Sequence, residues 1–513
     1  MKFSIRVDAS SQIGTGHFMR CLTLADVLKQ RDAQIRFISR HLPGHLRNML
    51  TAKGHQFMPL NGSSSEAISD ELPHAHWLGT TQHADAQDTI QALSDQTWDW
   101  LVVDHYALDQ RWESAMRASV GHIMVIDDLA DRHHDCDLLL DQNLVAQMHT
   151  RYADKVPPAC GLLLGPEYAL LQPIYAELHD RIPPREGPIQ RILVFFGGAD
   201  GDNLTGRTLA AFLRLGRPDI EVDVVITADS PHTEVIRQQA VGHGNIHLHS
   251  GLPTLAPLMT KADLAVGAGG ATSWERLCLG LPTLVVTLAE NQCPIADGLS
   301  QRRLIRWLGN QDAVDESAIA QALDKLVQRG LDNDWSLRCL AAVDGNGINR
   351  VRAALTVTEE TPLQARHARL ADEALFLEWA NDPTTRRNAF SPEPISAATH
   401  RSWFRDHMRN LEGCHLYIVE TTDGVPLGQV RFERSGQAWE VHYSLAPIFR
   451  GRGLGRPLLD MAMQKLRAAD MRGAVIFGQV TAGNQPSRKV FEALGFETQP
   501  DVRGGVTVYQ RTL

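Results

Sequence analysis

No apolar run in this 513-residue sequence approaches the length needed to cross a bilayer, and the opening, MKFSIRVDAS, holds no apolar signal core. Cysteine is scarce. There are seven, an odd number without close pairs, which points to reduced, buried thiols rather than a disulfide framework; Cys21, Cys136, Cys160 and Cys278 all sit in apolar or motif-like runs. Basic charge is lacking too: the net charge of -10 argues against a general nucleic-acid binder, although a local basic groove remains compatible with it. Internal repeats and low-complexity tracts are absent. These absences lead to the expectation of a cytoplasmic protein with neither a nucleic-acid nor a membrane partner.

What is present begins with IRVDASSQIGTGHFMR, from Ile5 to Arg20. Phe3, Ile5 and Val7 form an extended apolar opening. Gly14, Thr15 and Gly16 follow as a tight loop, and from His17 the apolar residues Phe18, Cys21, Leu22, Ala25 and Leu28 fall at helical spacing. The pattern predicts a strand, a glycine loop, and a helix whose first turn carries His17. A helix start offers unpaired N–H groups and partial positive charge, which suits an anion. The imidazole then stands at the carboxyl end of a strand, where open α/β sheets bind ligands.

A chain of this length holds about three or four domains. Residues 1–172 alternate strands (3–8, 34–38, 100–104, 122–127) with helices such as 16–30 and 108–118, which predicts a doubly wound, mostly parallel sheet. Asp8, Asp104-His105-Tyr106 and Asp127-Asp128 close three of these strands. The run around PPREGP makes 173–189 an expected linker. A second α/β domain spans 190–354, with strands at 191–198 and 222–228 and a strand–loop–helix–strand run over 263–286. A polar break at 355–362 leads to a separate α+β domain over 363–513, with a helix at 372–381 and strands at 415–420, 425–434 and 438–446.

Three loops carry candidate chemistry. In GAGGATSWE, Gly269 and Gly270 let backbone approach a diphosphate, a helix start near Thr272 supplies N–H donors, and Glu275 one turn in can accept from both ribose hydroxyls. FFGGADGDN adds Gly198 as a second glycine loop, and Asn291 and Gln292 add amides that suit a sugar. In RGRGLG, Arg450, Gly451, Arg452, Gly453, Leu454 and Gly455 form a loop whose successive N–H groups can surround a pyrophosphate, with the arginines adding charge. GNQPSRKVFEALGFE places Asn484 and Ser487 before a short helix. The histidines at 74, 76 and 83, and the group His133, His134 and Cys136, lack tight metal-ligand spacing and are expected as solvated loop residues.

In RVDASSQIGTGHFMRCLTLA, VVDHYALD, VIDDLADR, LLLGPEYALL, FFGGADGDN, GAGGATSWERLCLGLP and AENQ, residues 1–355 resemble the UDP-2,4-diacetamido-2,4,6-trideoxy-β-L-altropyranose hydrolases of pseudaminic acid biosynthesis. That resemblance implies a GT-B-like pair of Rossmann-like domains, cleavage of UDP from a UDP-linked amino sugar by water, no metal, and a catalytic role for His17. Residues from 363 onward resemble the Gcn5-related N-acetyltransferases (GNAT), which implies acetyl-CoA as cosubstrate, held by the RGRGLG loop and the Asn484 motif. Phe491 stands where many members have an acid tyrosine, which leaves that role to Tyr509 or water. In the implied pathway an acetyltransferase of this type acts on the 4-amino group just before the hydrolase, so the two halves read as consecutive steps.

On this reading His17 activates water for inverting attack at C1, Asp8 orients His17, Tyr106 and Asn291 contact the sugar, and Glu440 takes the proton of the attacking amine. UDP leaves as a stable anion, so the paired carboxylates of an ordinary glycosidase are not required. Two alternatives stand beside it: a UDP-sugar glycosyltransferase on the same fold, and a sugar-nucleotide binding module without activity.

Overall fold

The computed structural model describes residues 1–10, 12–62, 70–197, 200–227, 230–469, 473–499 and 505–513. They divide into two compact units, Met1–Arg352 and Ala353–Leu513.

In the first unit, β1 (Lys2–Val7), β2 (Gln34–Ser39), β3 (Gln56–Pro59), β4 (Trp98–Asp104), β5 (Val120–Ile126), β6 (Leu138–Asp141) and β7 (Gly161–Leu164) form one sheet. Its order is β3-β2-β1-β4-β5-β6-β7, with every pair parallel. A second parallel sheet follows from β8 (Arg191–Phe195), β9 (Glu221–Val225), β10 (Ile246–His249), β11 (Leu264–Ala268), β12 (Thr283–Thr287) and β13 (Arg306–Asn310), in the order β10-β9-β8-β11-β12-β13. Strands covered on both faces read as continuous apolar runs; LAVGA in β11 and TLVVT in β12 are buried throughout. The order reverses between β1 and β4 and again between β8 and β11. At such a reversal two neighbouring loops diverge and leave a crevice at the strands' carboxyl ends. The loops concerned are those carrying Gly14–Gly16, His105–Tyr106, Gly197 and Gly269–Gly270.

The expected linker over 173–189 is a packed element instead. It opens with the helix Pro173–His179, whose first position tolerates proline because no intrahelical bond is lost there. Tyr175 is fully buried beside Trp274, Leu277 and Cys278. Arg185 is buried as well and donates to the carbonyls of Met259, Ala262 and Leu279. At the other expected break, the helix Gly347–Thr356 takes up the first two residues of 355–362.

The second unit holds β14 (Leu363–His367), β15 (Cys414–Thr421), β16 (Pro426–Ser435), β17 (Ala438–Leu445), β18 (Val475–Thr481), β19 (Glu497–Thr498) and β20 (Val506–Thr512). The order is β14-β15-β16-β17-β18-β20-β19, antiparallel except for β17 and β18. That parallel pair is in register only from Ala438↔Val475 to Glu440↔Phe477, so the two strands part beyond Glu440. Leu458, Leu459 and Met463 of the helix Gly455–Ala468 lie in one core with Tyr417, Val430 and Phe432.

Candidate active sites

The loop after β1 is shaped by its own small residues. Ser10 Oγ accepts from the N–H of Ile13 at 3.1 Å, the Ser10 carbonyl accepts from Gly14 at 2.8 Å, and Gly14 turns with φ +77°. The helix Gly16–Lys29 then starts without a side-chain cap, with His17 as its second residue. His17 Nδ1 lies 2.6 Å from Asp104 Oδ1 at the end of β4. An ionised carboxylate only accepts, so Nδ1 carries the hydrogen, and in the neutral ring Nε2 is then the lone pair. Burial would raise the Asp104 carboxyl, but Arg20 and then His17 outweigh it and hold the group well below the usual carboxylate range. Arg20, one helical turn beyond His17, grips both Asp104 oxygens at 2.6 Å and reaches Asp128 at 3.1 Å.

Asp8 does not orient His17, contrary to expectation. It is fully buried, bound twice by Arg6 at 2.7 and 3.0 Å, and accepts from the backbone N–H of Arg40 at 2.8 Å. His105 stands on its other side at 3.2 Å. Arg6 also binds Asp85, so Asp8 belongs to a buried charge lattice beneath the site. Tyr106 meets the His17 ring edge-on with centroids 4.6 Å apart and stacks on Trp77 at 5.6 Å; burial pushes its hydroxyl well up, with the nearby Asp128 carboxylate adding to it. His74 joins the same wall, 5.3 Å from Tyr106, rather than sitting in a solvated loop. His134 also departs from expectation: it is buried, bonds Glu113 at 2.8 Å, and is pushed up to about 9 because Glu113 and Asp127 outweigh its burial.

On the second sheet, Gly197 turns with φ +90°, while Gly198 lies outside the described residues. Gly269 and Gly270 follow β11, and the short helix Thr272–Cys278 starts where the sequence predicts. A Cβ on Gly269 would press on Thr287 and Gln292; at Gly270 the space is open apart from the Gln292 amide. Gln292 accepts from the N–H of Leu288 at 3.0 Å, which fixes the turn, and Asn291 is exposed. Burial pushes the Glu275 carboxyl up to about 7, with Tyr175 lowering it in part, and among the described residues its Oε2 is buried without a hydrogen-bond partner. A ribose hydroxyl is the kind of donor such an oxygen lacks. Sequence reasoning overlooked Arg276, which passes under Gly267 and donates to the Ala268 carbonyl at 2.6 Å.

In the second unit, Gly451 and Gly453 both turn with φ +74° ahead of the uncapped helix Gly455–Ala468, with Leu454 at the N-cap. The arginines do not supply free charge, as had been expected. Arg450 binds Asp382 at 2.5 Å, Thr385 at 3.0 Å and the Leu445 carbonyl, while Arg452 donates to the Ala354 carbonyl at 2.6 Å. They brace the loop, which leaves its backbone N–H groups as the donors an anion would meet there. Asn484 caps the helix Gln485–Ala493 by accepting from the Ser487 N–H at 3.2 Å. Glu440 is the last paired residue before β17 and β18 part; burial and Glu433 raise its carboxyl. Tyr509 is stacked on Phe491 and donates to Glu492 at 3.1 Å. Tyr443 was missed: it lies on β17 beyond the last paired position, with its hydroxyl 2.7 Å from Ser487 Oγ.

Paired parallel sheets with glycine loops at both switch points, and an α+β unit with a glycine loop where two parallel strands diverge, define a GT-B-like pair of Rossmann-like sheets joined to an acetyltransferase-type α+β fold. The second part is specific: residues 363–497 match the family model described as an acetyltransferase (GNAT) domain. The N-terminal region resembles the UDP-2,4-diacetamido-2,4,6-trideoxy-β-L-altropyranose hydrolase of Campylobacter jejuni, at 24% identity over 303 residues, 59% of this chain and 97% of that one. Protein MJ1062 of Methanocaldococcus jannaschii is 20% identical over 529 residues, spanning 100% of both chains. Among solved structures, MurG of Acinetobacter baumannii covers 69% of this chain and 98% of its own, at 13% identity and a TM-score of 0.45.

Proposed function

We propose that this chain is a bifunctional enzyme of pseudaminic acid biosynthesis. Its second unit N-acetylates the 4-amino group of a UDP-linked amino sugar with acetyl-CoA. Its first unit then hydrolyses UDP-2,4-diacetamido-2,4,6-trideoxy-β-L-altropyranose to the free sugar and UDP. The observation that carries the hydrolytic reading is the His17–Asp104 pair at the switch point of the first sheet. His17 Nε2 takes a proton from water, the water oxygen bonds to C1, and the C1–O bond to the diphosphate breaks with inversion. Asp104 stabilises the imidazolium that forms. Gly269, Gly270 and the N–H groups near Thr272 hold the departing diphosphate, Glu275 receives the ribose, and Tyr106 and Asn291 face the sugar. No metal takes part in this step.

In the acetyltransferase half, the amine attacks the thioester carbonyl, an N–C bond forms and the C–S bond breaks. Glu440 removes the amine's proton, and Tyr443 rather than Tyr509 returns one to the thiolate. The loop from Arg450 to Gly455 holds the pyrophosphate, with Asn484 and Ser487 alongside.

The test is UDP release from the diacetamido UDP-sugar without any acceptor. Wild type releases UDP, and His17→Ala abolishes release while UDP still binds. Unchanged turnover in His17→Ala removes the role of His17, and release that needs an added acceptor sugar or lipid makes the first unit a glycosyltransferase.

A further inference from the structure

Beside the acetyltransferase site, side chains of metal-ligating type converge from four elements. Cys414, Glu433 and Glu440 are directly opposed across β15, β16 and β17, so they share one face of the sheet. Arg431 and His442 oppose each other in the adjoining row of that face. The helix Ala397–Arg409 contributes His407 from its last turn. One donor atom each from His407, Cys414 and Glu433 falls within 4.8 Å of the other two, and His442 Nε2 lies 3.8 Å from Glu433 Oε2.

The protonation of His407 can be read from its partners. Nδ1 stands 2.7 Å from the Trp403 carbonyl, which can only accept, so Nδ1 carries a hydrogen. In the neutral ring Nε2 is then a lone pair, and it faces Glu433 Oε1 at 2.7 Å. At that separation a proton fits between the two atoms; a metal ion takes its place only when the two donors move about 3.3 Å or more apart. A backbone carbonyl behind the distal nitrogen is also the usual support of a metal-bound histidine.

We propose that His407, Cys414 and Glu433, with His442 as fourth donor, bind a borderline divalent cation of the Zn²⁺ type. One thiolate, two imidazole nitrogens and one carboxylate oxygen match the donor set of tetrahedral zinc; its donor–donor edges of about 3.3–3.8 Å require His407, Cys414 and Glu433 to adjust their spacing and His442 to swing in as the fourth donor. Arg431, 3.1 Å from Glu433 and 5.0 Å over the Trp403 ring, offsets the charge of Glu440 in the same cluster. Cys414, Glu433 and Glu440 with Arg431 and a dication sum to zero. The ion clamps the helix Ala397–Arg409 to the sheet beside the point where β17 and β18 part. This assignment is independent of the proposed activities.

The experiment uses the full chain, stripped with a chelator and desalted. Zn²⁺ is titrated against a chromophoric competitor, and Co²⁺ is added separately to read thiolate-to-metal charge transfer in the near ultraviolet. One tight Zn²⁺ per chain is expected, with a Co²⁺ charge-transfer band that vanishes in Cys414→Ser. His407→Gln should weaken Zn²⁺ at least tenfold and keep a weakened band. Cys136→Ser serves as the control and leaves both readouts unchanged. Failure of the wild type to take up stoichiometric Zn²⁺, or a charge-transfer band that survives Cys414→Ser, overturns the site. Acetyl-CoA binding in each variant reports whether the unit is folded.

Discussion

At the scale of single residues, the first sheet's chemistry depends on which side chain holds His17. Asp104 fixes the Nδ1–H tautomer; on the proposed mechanism, in which Nε2 acts on water, Asp104→Asn lowers kcat about 100-fold or more, with KM for the UDP-sugar little changed. Steady-state kinetics separates this from a folding defect, because a misfolded crevice raises KM as well. His134 makes a different prediction, about stability and pH. Its folded pKa is raised to about 9, above an unfolded value of about 6.5, so the folded state binds the proton more tightly. The stabilisation is complete below pH 6.5 and is lost as pH rises through 9. We expect urea unfolding to show about 3 kcal/mol less stability at pH 9.5 than at pH 6.5 from this group. His134→Gln should be less stable at low pH and lack that slope. The position of His17 at a helix start was legible from GTGH alone, whereas Asp104 was visible only as one of several strand-end carboxylates. Its partner lies 87 residues away in the chain, and only the strand order β1-β4 makes them neighbours.

At the scale of elements, each functional loop sits where a strand gives way to a helix. Most of these junctions could be read from apolar runs ending in glycines; the helix starts at Gly16, Thr272 and Gly455 all follow such runs. The side chains around the loops could not be read in the same way. RGRGLG looks like a double arginine clamp, yet Arg450 and Arg452 are tied to Asp382 and to the Ala354 carbonyl. The glycines of this loop differ in what surrounds them. Gly451 has open space around a Cβ, whereas a Cβ on Gly453 collides with the Glu359 carboxylate. Both have φ +74°, so each alanine costs about 1 kcal/mol from backbone strain, and Gly453→Ala adds the clash. Titration calorimetry should show acetyl-CoA affinity falling further in Gly453→Ala than in Gly451→Ala. Equal affinities would mean that Glu359 yields freely.

At the scale of the whole molecule, the two compact units predict two unfolding transitions, each responding to its own ligand. Scanning calorimetry should show UDP raising one transition and acetyl-CoA the other, each by about 2.7 kcal/mol at 100 times its dissociation constant. A single transition moved by both ligands would mean that the units unfold as one. The sequence by itself determined the alternation of strands and helices, the change of fold class near residue 360, the glycine loops and the placing of His17 at a helix start. These are local properties, set by apolar periodicity and by the backbone freedom of glycine. Only the tertiary structure decided that Asp104 rather than Asp8 holds His17, that Pro173–His179 is a packed helix, that His134 is buried as a paired cation, and that Cys414, Glu433 and His407 meet. Each of those outcomes depends on which strands lie side by side and which helices cover them, and contacts between residues far apart in the chain leave no mark on local spacing.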